Sequence, residues 1–159
     1  MLLITECIAA CVLFTLLVKL ATMMRREAFT NDYPPVVTEE LRKKQLIAER
    51  PPAKKSDVIR KLLATIIFAI IFALLLRHVN GTTTFLKGAL TAYGLWLVVD
   101  WYDFLVMDVL LAPFDKFYKA SGVSAFEKTA VWFHCKESIK GMIIGLVFAP
   151  VVGIVVTLL

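Results

Sequence analysis

Residues 88–113 read GALTAYGLWLVVDWYDFLVMDVLLAP. The stretch is long and apolar enough to cross a bilayer, since roughly 20 residues suffice at a rise of about 1.5 Å each. Three aspartates nevertheless stand in it: Asp100, Asp103 and Asp108. A carboxylate in hydrocarbon is destabilised unless it faces a partner, a cavity or water. Two constraints follow. The backbone must be helical here, because lipid offers no partner to an N–H or C=O group. The helix must also turn its aspartates towards something other than lipid.

Three further apolar runs accompany this one, and spans are expected at about residues 1–22, 58–77, 87–112 and 139–159. Apolar residues make up 59% of the 159-residue chain, against roughly 45–50% in a soluble domain. The excess is gathered into these runs. The expected fold is all-α: a polytopic membrane protein with four transmembrane helices in a single integral membrane domain, residues 1–159. A cytoplasmic interfacial amphipathic helix is expected before the last span.

Charge orients the spans. From Arg25 to Lys61 there are ten Lys or Arg against six Asp or Glu. The positive-inside rule therefore makes the loop at residues 23–57 cytoplasmic, and with it the loop at 113–138. Both termini then lie outside. The net charge of +5 reads as contact with the lipid bilayer and its anionic headgroups at the basic loops, not as a nucleic-acid surface. The first run lacks a positive leader, which argues against a cleaved signal peptide. The plasma (cell) membrane of a bacterium is the expected location. Cys7, Cys11 and Cys135 show neither zinc nor C-x-x-C spacing, and Cys7 and Cys11, four apart on a helix, diverge too far to form a disulfide.

Local signals divide the loops. Tyr33-Pro34-Pro35 reads as a helix break, and Thr38-Glu39-Glu40 as a helix start with Thr38 as N-cap. Pro51-Pro52 reads as a stop. Asn80-Gly81 marks a turn that would fold the second and third spans into a hairpin. Ser124-x-x-Glu127 has the form of a capping box, opening an interfacial helix with Phe126, Ala130 and Phe133 on one face. In the last span Gly141, Gly145, Ala149 and Gly153 recur every four residues. Such a ridge permits close helix approach, either to a helix of the same chain or to another subunit. A homo-oligomer or a partner membrane subunit is expected on that ground.

At about 100° per residue, Asp100 and Asp103 lie roughly 60° apart and Asp108 roughly 80° to the other side of Asp100. All three fall on one broad face. Intramembrane carboxylates of this kind suit a protein that binds or relays a cation or proton, as an oligomer or as part of a transporter or channel. Arg77 and His78, ending the second span, and Glu6, near the start of the first, are the candidate polar partners. A second reading is a membrane-embedded, metal-assisted enzyme acting on a lipid or lipid-anchored substrate, with Asp108, Asp115, His134 and Glu137 as ligands. His134 and Glu137 share a helix face at i, i+3, and carboxylate with imidazole suits a transition metal. A third is a non-catalytic accessory subunit whose aspartates meet a partner's cation. Aspartyl proteolysis needs two carboxylates facing each other across a shared water, whereas Asp100 and Asp103 occupy one helix. No Gly-rich phosphate loop, G-x-S-x-G or H-E-x-x-H occurs, and no cofactor is indicated.

Overall fold

A computed structural model describes residues 2–24, 33–48 and 55–159. The readings that rest on Arg25, Arg26 and Pro51-Pro52 lie outside the described residues. Among those described there are helices and turns and no strand. In chain order the helices are α1 (Leu2–Met24), α2 (Pro35–Lys43), α3 (Lys55–His78), α4 (Phe85–Tyr102), α5 (Lys116–Ser121) and α6 (Lys128–Leu158). A π-helical segment, Asp103–Leu110, continues α4, and a 3-10 turn, Ala112–Phe114, precedes α5.

Three helical stretches are long and apolar enough to cross a membrane: Leu3–Leu20, Phe85–Leu110 and Lys128–Leu158. The second expected span falls on α3, whose apolar part among the described residues is the shorter Thr65–His78. The separate interfacial helix does not appear. Lys128–Leu158 is one helix of 31 residues, because nothing between Thr129 and Lys140 breaks a backbone. The change there is from charged to apolar side chains, which alters a helix's surroundings and not its winding.

The chain divides into two compact units, Met1–Glu49 with Val98–Gly141, and Arg50–Leu97 with Met142–Leu159. In the first, α2 begins earlier than Thr38. Pro34 is its N-cap and Pro35 its first residue, a position where the missing N–H is no loss and the fixed φ favours the helix. Thr38 instead donates its hydroxyl to the Pro35 carbonyl at 2.9 Å. Val37 and Leu41 of α2 are fully buried and pack with Ala112, Tyr118 and Ala125. Lys44 closes the contact by donating to the Ala120 and Ser121 carbonyls at 2.8 and 2.9 Å, at the C-terminal end of α5 where a cation is favoured. The capping box is not formed. Ser124 Oγ accepts from the Phe126 N–H at 3.3 Å, a tight turn of its own, and Glu127 takes the Thr129 hydroxyl at 2.6 Å.

In the second unit Ala69 and Ala73 of α3, Ala92 of α4, and Phe148, Ala149, Val152 and Val156 of α6 form the core. The small-residue ridge meets α4 within the chain. A Cβ on Gly145 would stand 2.5 Å from Trp96 Cδ1, and one on Gly153 would stand 2.8 Å from the Phe85 carbonyl oxygen. Glycine at these positions lets the two helices approach closely. Gly81 turns the α3–α4 connection at φ +58°, as Asn80-Gly81 implied.

Gly153→Ala is expected to lower stability by about 1–3 kcal/mol through overpacking. Gly94→Ala on the open side of α4, where a Cβ meets nothing within 4 Å, should be neutral or gain up to about 1 kcal/mol of helix propensity. Thermal unfolding in detergent compares the two. Equal stability of the Gly153→Ala protein and the wild type would contradict the packing.

Candidate functional site

The site lies in the first unit and is built from the α4 end, the π segment and the first half of α6. Asp100, on the last turn and a half of α4, accepts the Ser138 hydroxyl at its Oδ2, 2.7 Å away. Its carboxylate rests against Gly141, and a side chain at 141 would collide with Oδ1. Glycine at 141 is thus the seat of the carboxylate as well as the end of the packing ridge.

From Asp103 the winding changes. The Leu111 N–H donates to the Val106 carbonyl, five residues back, at 2.8 Å. In an α-helix Asp103 and Asp108 would sit roughly 140° apart. Winding with i→i+5 hydrogen bonds makes five residues close to one turn and brings both onto the same side. Phe104 is buried between them in sequence and meets Trp101 edge-on at 5.8 Å.

Asp100, Asp103 and Asp108 line one small cleft of about 90 Å³ with His134, Glu137 and Ser138 of α6, and Phe104 completes its lining. That is room for a few waters or a small cation. Glu137 pairs along its own helix with Lys140 at 2.5 Å. His134, only 4% exposed, has both ring nitrogens engaged. Nδ1 lies 2.9 Å from Asp108 Oδ2, and Nε2 lies 3.0 Å from the Tyr118 hydroxyl. An ionised carboxylate only accepts, so Nδ1 donates to Asp108. A neutral ring then accepts the Tyr118 O–H at Nε2. Asp108, His134 and Tyr118 form a continuous hydrogen-bonded chain.

Asp115 takes another part. Its Oδ1 caps α5 by accepting from the Phe117 and Tyr118 N–H groups at 2.7 and 3.3 Å, and its carboxylate accepts the Tyr33 hydroxyl. The four proposed metal ligands are therefore not gathered as one set, and among the described residues no group of three His, Cys, Asp or Glu side chains is arranged to hold a metal. Glu6 is half-buried on α1. Arg77 and His78 end α3 in the second unit. Among the described residues neither takes part in an ion pair. Tyr102 points to α1, donating to Thr15 Oγ1 at 2.8 Å, whose own proton goes to the Cys11 carbonyl.

The aspartates, His134 and Glu137 were visible from composition and spacing. Ser138, Gly141 as a seat, and Tyr118 were not. The first two continue the stripe of His134 at i+4 and i+7, a signal hidden by starting the span at 139. Tyr118 lies in α5, whose six residues are too few to show a periodicity.

Ser138→Ala is expected to cost about 1 kcal/mol, the worth of one hydrogen bond. Gly141→Ala should cost more, because it displaces the carboxylate itself; unfolding midpoints in detergent rank the two. Burial, then the charge of Asp115, holds the Tyr33 phenol well above the ordinary tyrosine value. Burial, then Asp108 and Asp115, does the same for Tyr118. Groups with raised values contribute stability fully below the unfolded value, near pH 10, and lose it as pH rises beyond. Tyr33→Phe should flatten that alkaline loss while costing about 1 kcal/mol at neutral pH, read from unfolding midpoints across pH. No protein-family model, curated protein or solved structure matches the chain.

Proposed function

We propose that the chain is an integral membrane protein that takes up a proton or small cation in the carboxylate cleft and passes it on, as a transporter or channel component. The observation that carries this reading is the convergence of Asp100, Asp103, Asp108 and His134 on one cleft of about 90 Å³. Carboxylates crowded together in an otherwise apolar helix repel one another, and a shared proton or a bound cation relieves that repulsion. The continuous chain from Asp108 through His134 to the Tyr118 hydroxyl favours a proton. His134, the middle link, donates at Nδ1 and accepts at Nε2, as a relay requires.

In this reading α3 is a fourth span, supported by its 24-residue length and its apolar Thr65–His78 part. The basic loops face the cytoplasm of a bacterial cell and both termini face outside, by the charge asymmetry between Arg25 and Lys61. Tyr118 then stands at the cytoplasmic end of the relay. The ridge on α6 is occupied by α4, so it no longer calls for a second subunit.

Purified protein reconstituted into vesicles with an internal pH dye is expected to admit protons under an imposed potential. Asp108→Asn should reduce the rate to that of protein-free vesicles while circular dichroism remains unchanged, and Tyr118→Phe should slow it partially. Wild-type vesicles no leakier than protein-free ones, in proton and in sodium or potassium gradients alike, would overturn the proposal.

A further inference from the structure

A second concavity in the first unit has no part in the cleft. It is a groove of about 360 Å³ between the start of α2 and the first turns of α6, with Pro35, Val36 and Glu39 on one side and Trp132, Phe133 and Lys136 on the other. Its chemistry is graded. Pro35, Val36 and Phe133 give an apolar floor. Trp132 is 55% exposed, and the Lys136 ammonium lies 5.4 Å from its ring centroid. Glu39 supplies the opposite charge. Among the described residues neither Glu39 nor Lys136 takes part in an ion pair, so the two face the same groove without neutralising each other.

The place of the groove on α6 limits what can fill it. Lys140 is the last charge of the helix, and Lys136 precedes it by one turn, about 6 Å. A helix that enters the bilayer beyond Lys140 carries Trp132 and Lys136 at the level of the headgroups, where tryptophan and lysine concentrate. Phe114 and Lys119 repeat the pairing, with the ammonium 6.0 Å from the ring centroid.

We propose that this groove binds the headgroup of a phospholipid bearing a primary amine, an ethanolamine lipid. The phosphate meets Lys136, the ammonium meets Glu39, and the glycerol and upper acyl chain lie on Trp132 and the apolar floor. Charge complementarity selects this class. A purely anionic headgroup satisfies Lys136 and is repelled by Glu39. A choline headgroup satisfies the charge but has no N–H to donate to the carboxylate.

The test is native mass spectrometry of the full chain in detergent, titrated with phosphatidylethanolamine, phosphatidylglycerol and phosphatidylcholine of identical acyl chains. Phosphatidylethanolamine is expected to be retained best. Glu39→Gln should lower its retention about threefold to fivefold, the range of an exposed charge pair, without lowering that of phosphatidylglycerol. Lys136→Gln should weaken all three. Both positions are exposed, so folding survives, and Glu39→Lys gives a second reading by turning the preference towards phosphatidylglycerol. Equal retention of the three lipids by the wild type, a preference for phosphatidylglycerol, or an ethanolamine preference unchanged by both Glu39 variants would overturn the proposal.

Discussion

A carboxylate half-buried against a neighbouring helix loses part of its solvent shell, so the surrounding chain must provide what is missing. For Asp100 that provision depends on an absence. Residue 141 has no side chain, and only so can the carboxylate lie against α6 and receive the Ser138 hydroxyl. The stripe that permits this contact continues along α6 as Gly145 and Gly153, where Trp96 and Phe85 take the vacated space. One pattern of missing side chains thus serves two ends, tight apolar packing in the second unit and a seat for a polar group in the first.

The π segment adds the second requirement. In an α-helix the three aspartates, spread over nine residues, would cover an arc of about 140°. Widening the winding over Asp103–Leu110 narrows that arc and presents Asp108 to the ring of His134. The tyrosine and the capping role of Asp115 hold the far side in place. Asp115 fixes the start of α5, α5 carries Tyr118, and Tyr118 fixes Nε2 of His134. The buried imidazole is therefore oriented from both sides by groups that are themselves anchored.

The legible parts of the sequence were those written in hydrophobicity. The apolar runs, the aspartates inside one of them, and the spacing of His134 and Glu137 all follow from periodicity and solvent preference. The parts that escaped depend on backbone hydrogen bonding, which residue type signals weakly. Pro34-Pro35 reads as a break, yet the same fixed φ starts α2. Ser124-x-x-Glu127 carries the right residues for a capping box, yet Ser124 closes its own turn first. The end of charge at Lys140 looks like a boundary, yet α6 passes through it unbroken. Nothing in DFLVMDVL distinguishes i→i+5 from i→i+4 pairing, because side-chain type says little about which carbonyl a backbone N–H takes.

The π segment also bears on how a chain of this kind can change in length. It holds about one residue more than an α-helix with the same number of turns. Deleting a residue between Asp103 and Asp108 lets the ordinary winding return, with Asp108 still about one turn from Asp103. What is lost is the extra girth that opens the helix wall. A deletion within α4 behaves differently, since it swings everything on one side by about 100° and takes Asp100 off its glycine. Where the charges point and how wide the wall stands are therefore separable traits. An inherited one-residue gap can erase the second while leaving the first intact.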